Sequence, residues 1–265
     1  EVADRKELYP AKLLEKSIYF ETPVVSLRKY LTREDKSGII AEFKRRSPSA
    51  GEIRPGAEPA EIARGYEKAG AAAISVLTDG EDFGGSLEDL VATRRASSLP
   101  VLRKEFIVDS YQVNEARLYG ADAVLLIAEC LDDCLLRSLY REVIDLGMTP
   151  LVELHSSENL SRVLDLGATL IGVNNRDLST MKTDIGHVLR LKEKIPPECV
   201  LVAESGIRSR ADVEQLEAAR TPKTKVLLFC SPSNPTGQYY SDAEFKELAA
   251  DAPTAQKLLN WVDNR

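Results

Sequence analysis

The chain has 265 residues, enough for a single domain with a large buried core. Hydrophobic residues make up 43% and charged residues 29%, ordinary usage for a globular domain, and a net charge of −7 speaks against nucleic acid or an anionic membrane surface as a partner. No run of about 18 apolar residues exists and the charged opening Glu1–Leu14 lacks the apolar stretch of a signal peptide, so neither a membrane helix nor a secretory leader is expected.

Taken in chain order, residues 1–36 precede any strand-like run and read as an N-terminal helical extension. Eight short apolar runs follow: Gly38–Phe43, Ala73–Thr78, Val101–Phe106, Ala123–Ala128, Pro150–His155, Leu170–Asn175, Val200–Ser205 and Lys225–Cys230. Runs this continuous suit strands buried on both faces of a parallel sheet. Amphipathic stretches separate them. Asp132–Leu146 carries Leu135, Leu136, Leu139, Val143 and Ile144 at helical spacing. Ser156, Ser209 and Ser241 stand where N-caps belong, the last in a Ser-Asp-Ala-Glu capping box. Gly70, Gly120 and Gly167 stand where helices should end. Eight β/α units in this length predict an α/β fold, a (β/α)₈ TIM barrel forming one domain over residues 1–265.

A barrel of this kind carries its site at the C-terminal strand ends. The first run ends Glu42-Phe43-Lys44, the third carries Arg103-Lys104-Glu105, and the fifth holds Glu153 and His155. The sixth ends Asn174-Asn175-Arg176 and the seventh Glu204-Ser205-Gly206. Acids, amines and amides on five strand ends point to one rim doing acid–base chemistry, since buried charge is costly unless paired or used. Arg176 and the backbone at Gly206 suit a phosphate. His155 and His187 are the two histidines; the first is expected to be structural and the second to lie on a helix surface. The cysteines, Cys130, Cys134, Cys199 and Cys230, form no C-x-x-C pair and read as reduced thiols of a cytoplasmic protein. No metal and no cofactor are expected.

The residues resemble the indole-3-glycerol phosphate synthase family. The resemblance rests on Ile39–Ser49 (IIAEFKRRSPS), Ser75–Thr78, Phe83–Ser86, Val101–Ile107, Leu151–His155, Gly172–Leu178 and Ala203–Ile207, and it covers roughly residues 1–219. It implies closure of the indole ring on 1-(2-carboxyphenylamino)-1-deoxyribulose 5-phosphate, with loss of CO₂ and water. It also implies that Lys104 is the general acid of ring closure and that Glu153 is an acid/base group of the dehydration. Glu42 and Lys44 would move protons, Lys44 also pairing with an anionic group of the substrate, while Asn174 and Glu204 orient and polarise. Arg176, Ser205, Gly206, Ser47 and Ser231 would sit toward the substrate and its phosphate, and the loop after the first strand would close over the site. The expected partner is a phosphorylated small molecule, with the chain a monomer or weak homodimer.

Residues 221–265 form an atypical last unit, and Thr221–Ala249 resembles a pyridoxal-phosphate aminotransferase segment through Ser233-Asn-Pro-Thr-Gly237. A grafted strand–loop–helix piece, an assembly artefact and natural divergence each account for it. Pro232 and Pro235 remove two backbone donors from that loop, which predicts weaker phosphate binding. Another phosphate-binding barrel, such as a phosphoribosyl isomerase, would share the fold but fits Glu42-x-Lys44 with Lys104 and Glu153 poorly. A catalytically impaired barrel serving as a scaffold is the alternative from a different class.

Overall fold

The computed structural model describes residues 2–9, 18–48, 51–177, 179–207, Leu216 and the backbone of the strand 226–230. Strands β1 (Ile39–Phe43), β2 (Ala73–Leu77), β3 (Val101–Lys104), β4 (Ala123–Ile127), β5 (Thr149–Leu154), β6 (Leu170–Asn174), β7 (Val200–Glu204) and β8 (Val226–Cys230) close into one barrel. All ladders in it are parallel, and β8 seals the ring by pairing with β1 from Ile39↔Leu227 to Glu42↔Cys230 and with β7 at Val226↔Val202 and Leu227↔Ala203. Each expected strand is present, its ends displaced by two residues at most.

Helices α1 (Val2–Leu8), α2 (Ile18–Glu21) and α3 (Leu27–Leu31) precede the first barrel strand. Leu27 and Leu31 of α3 pack with Ile40, Ala73, Ala123 and Leu170, residues at or near the starts of their strands, so this helix caps the N-terminal mouth. Six helices follow the first six strands: α4 (Pro59–Lys68), α5 (Leu87–Ala96), α6 (Ser110–Leu118), α7 (Asp133–Asp145), α8 (Leu160–Asp165) and α9 (Gly186–Lys192). Asp132 caps α7 by accepting from Leu135 N, and Leu136, Leu139 and Val143 face the barrel; Ile144 is exposed, at the outer edge of the expected stripe. Gly70, Gly120 and Gly167 all take positive φ, as helix ends in the left-handed region do. Ser209 and Ser241 lie outside the described residues.

Strand alternation sorts side chains into two cores. Val101, Val124, Leu126, Val152, Leu154, Ile171, Val173, Leu201 and Ala203 point outward into the helix layer. Ile40, Leu102, Leu125, Leu151, Leu170 and Val202 point into the barrel. Moving two residues along from these inward positions brings Glu42, Lys104, Glu153 and Glu204 onto the inner face at the C-terminal mouth. An apolar lower layer therefore carries a polar upper one.

Arg103 faces the other way. It is fully buried behind β3, where Nε donates to Thr78 Oγ1 at 3.1 Å, Nη1 donates to Gln112 O at 2.8 Å and Nη2 pairs with Glu115 at 3.0 Å. The expectation that Arg103 joins the rim with its neighbours is thus corrected: adjacent strand residues face opposite sides, and this one serves the helix layer.

Candidate active site

The upper layer is a linked chain of charges. Lys44 Nζ pairs with Glu42 Oε1 at 3.0 Å, and Lys104 Nζ bridges Glu42 Oε2 at 3.1 Å and Glu204 Oε2 at 3.2 Å. Asn174 Nδ2 donates to Glu153 Oε1 at 3.0 Å, and Asn174 Oδ1 accepts from the Arg176 backbone N–H at 3.0 Å. Glu42, Lys44, Glu153, Asn174 and Glu204 are buried, while the Lys104 side chain keeps 20% of its surface open to the mouth. Burial, followed by the charge of Glu153, pushes the Glu204 carboxyl well above the usual carboxylate range, against the pull of Lys104.

Above it opens a cavity of about 150 Å³. Glu42, Lys44, Lys104, Glu153, Asn174, Arg176, Ser205 and Gly206 line it, so eight of the expected site residues share one space. Glu204 lies beneath, reached through Lys104. Ser205 and Gly206 both take positive φ, and a side chain at Gly206 would overlap Thr183, so only glycine fits this turn beside the cavity. Ser47 is not brought in: it is buried in a two-residue hairpin, paired with Gly51, and absent from the lining. Ser231 lies outside the described residues.

The residue reading missed the apolar wall. Leu77, Phe83, Phe106, Leu125, Ile127 and Ile207 line the cavity together with the charges. The signal was present in Phe83 and Phe106, two aromatic residues in loops directly after strands. Glu105 also lines the cavity while accepting from Thr78 Oγ1 at 2.7 Å. The loop after β1 is pinned at its base, where Arg45 Nη2 donates to Asp89 at 2.8 Å and Arg45 Nη1 to Gly84 O at 3.2 Å. His155 Nδ1 contacts Asn174 O at 2.7 Å. His187 is half-buried and stacked on the His155 ring at 4.4 Å, which corrects the surface placement.

A family model for indole-3-glycerol phosphate synthase matches residues 1–226. The chain belongs to the indole-3-glycerol phosphate synthase family. As a member it is a carboxy-lyase of tryptophan biosynthesis that acts on a phosphorylated small molecule. The indole-3-glycerol phosphate synthase of Leifsonia xyli is 48% identical over 83% of this chain and 84% of its own length. That of Rhodopirellula baltica is 52% identical over 71% and 73%, and that of Desulfosudis oleivorans 53% identical over 69% and 70%. A second model, for class I and II aminotransferases, matches residues 197–263, over the segment already singled out in the sequence. Among solved structures, a thiamine phosphate pyrophosphorylase from Pyrococcus furiosus shares the fold at TM-score 0.55 and 13% identity, covering 88% of this chain and 98% of that one. An N-acetylmannosamine-6-phosphate 2-epimerase from Clostridium perfringens does so at TM-score 0.53 and 11% identity, covering 74% and 87%. No helix among the described residues is long and apolar enough to cross a membrane.

Proposed function

We propose that the Lys104-centred layer carries out the synthase reaction on 1-(2-carboxyphenylamino)-1-deoxyribulose 5-phosphate, with the roles divided by position. The single observation that carries this reading is the Lys104 ammonium, bridged between Glu42 and Glu204 and open to the cavity. The ring carbon bearing the carboxylate attacks the ketone carbon of the ribulose chain, and Lys104 gives a proton to the carbonyl oxygen as that bond forms. CO₂ then leaves the ring carbon, and the electrons of its bond restore the aromatic ring. The hydroxyl on the former ketone carbon departs as water, and the adjacent CH₂ carbon loses a proton; Glu153 is the acid/base group of this step.

The remaining contacts orient. Lys44, braced by Glu42, pairs with the substrate carboxylate. Asn174 aims Glu153. Phe83, Phe106, Leu125 and Ile127 form the wall against which a flat aryl ring would rest, while Arg176, Ser205 and Gly206 hold the phosphate end. The enzyme needs no cofactor for these proton transfers. We read the chain as one barrel domain, residues 1–265, working in the cytoplasm as a monomer or weak homodimer; its net charge of −7 supports the absence of a nucleic-acid partner.

The division of roles is tested by following CO₂ and indole together in a single turnover. In Glu153→Gln, CO₂ release should outrun indole appearance, because the block falls after decarboxylation. Equal slowing of both signals would contradict the assignment of Glu153 to dehydration.

A further inference from the structure

We propose that Gly172 is a positioning residue of this reaction, its missing side chain being the socket that seats the Glu204 carboxyl against Glu153. The proposal rests on the reading of Glu153 as the acid/base group above. Gly172 is buried in the middle of β6, two residues from Leu170 and two from Asn174, which places it on the inner face of the barrel. The register sets it beside Glu153 on β5 and Val202 on β7, and Glu204 stands two residues beyond Val202. A Cβ built on Gly172 would overlap Glu204 Oε1, with Glu204 Cδ at 3.4 Å and Glu153 Cα at 3.5 Å next in line. The carboxyl therefore occupies the volume that any other residue would fill. Its φ is not in the left-handed region, so the need for glycine here is one of space and not of backbone conformation.

What the socket achieves follows from hydrogen bonding. Glu204 Oε2 is held by Lys104 at 3.2 Å. Glu204 Oε1 is buried, and among the described residues no donor reaches it. The Glu153 carboxyl is close enough to act on the Glu204 carboxyl as a like charge. Two carboxyl groups can meet there only with one proton between them. Burial and then the charge of Glu153 push the Glu204 carboxyl up, while Asn174 Nδ2 donates to Glu153 Oε1 at 3.0 Å. The seated Glu204 carboxyl thus stands between Lys104, the donor of the first step, and Glu153, the group of the last.

The test is Gly172→Ala, made alone and together with Glu204→Asp, and assayed beside the unaltered enzyme. Alanine should displace the Glu204 carboxyl by about 1 Å or more, which lowers kcat at least about tenfold. KM should stay within a few-fold, and the alkaline limb of the kcat profile should move to lower pH as Glu204 loses its buried seat. Aspartate at 204 is one methylene shorter and leaves room for the new methyl group. The double variant should therefore exceed Gly172→Ala in kcat, although Glu204→Asp alone is slower than the parent. If Gly172→Ala does not fold, the proposal requires that the double variant does, because the overlap is with the Glu204 side chain. Unchanged kcat and pH profile in Gly172→Ala, a double variant no better than the product of the two single effects, or failure of both variants to fold would each overturn the socket. An unaltered chain without turnover would instead sink the functional reading beneath it.

Discussion

Replacing Lys104 with alanine is expected to lower kcat about 10²–10⁴-fold, the usual worth of a positioned general acid. The argument is geometric. Lys104 Nζ sits between Glu42 Oε2 and Glu204 Oε2 at 3.1 and 3.2 Å, so its ammonium is fixed in place and is not a mobile surface charge. Its side chain keeps 20% of its surface at the cavity, which lets the same ammonium meet a substrate oxygen. Removing it leaves Glu42 paired with Lys44 and takes away the group that holds the Glu204 carboxyl down against burial, so the fold should survive. KM should change only a few-fold, because the contacts to ring and phosphate are made by other residues. Lys104→Arg should recover little, since a guanidinium keeps the charge but gives up a proton poorly. Steady-state assays by indole fluorescence, with circular dichroism as the check on folding, decide it. A Lys104→Ala enzyme within tenfold of the parent would remove Lys104 from the chemistry.

The second large effect is on stability. Arg103→Met should destabilise the fold by about 3–5 kcal/mol, the cost of stripping one partner from a buried ion pair. The side chain is entirely enclosed, and it holds Glu115 at 3.0 Å, the carbonyl of Gln112 at 2.8 Å and the Thr78 hydroxyl at 3.1 Å. Methionine fills the volume but satisfies none of these acceptors. Glu115 retains Arg5 of α1 at 3.2 Å, which places the effect toward the lower end of that range. At roughly 2–4 °C per kcal/mol for a chain of this size, the melting temperature should fall by at least about 6 °C. Thermal unfolding followed by circular dichroism measures it, and a fall under 2 °C would show that the network is worth little.

Much of this barrel could be read from the residues alone, for a physical reason. Strands enclosed on both faces must be apolar at almost every position, so Ala73–Leu77 or Ala123–Ile127 announce themselves without help from periodicity. The polar ends of those strands stand out against such a background, which is why Glu42, Lys104, Glu153, Asn174 and Glu204 were visible as a group. What the residues could not convey was facing and distance. Arg103 and Lys104 are neighbours with opposite fates, and the partners that make Arg103 structural, Glu115 and Arg5 through it, lie far away in sequence. Ser47 belonged to a strong motif yet turns into a hairpin. Phe83 and Phe106 lie 23 residues apart, and only the closed barrel brings them to one cavity. At Gly172 only the register reveals the carboxyl that occupies its side-chain space.

The central claim is that this layer of charges turns over the carboxyphenylamino-deoxyribulose phosphate. The most direct test adds that compound to the purified, unaltered chain and follows indole fluorescence, with CO₂ measured in the same sample. One CO₂ released for each indole formed, at a rate that saturates with substrate, is the predicted result. A folded chain that binds the compound but yields neither product would contradict the account.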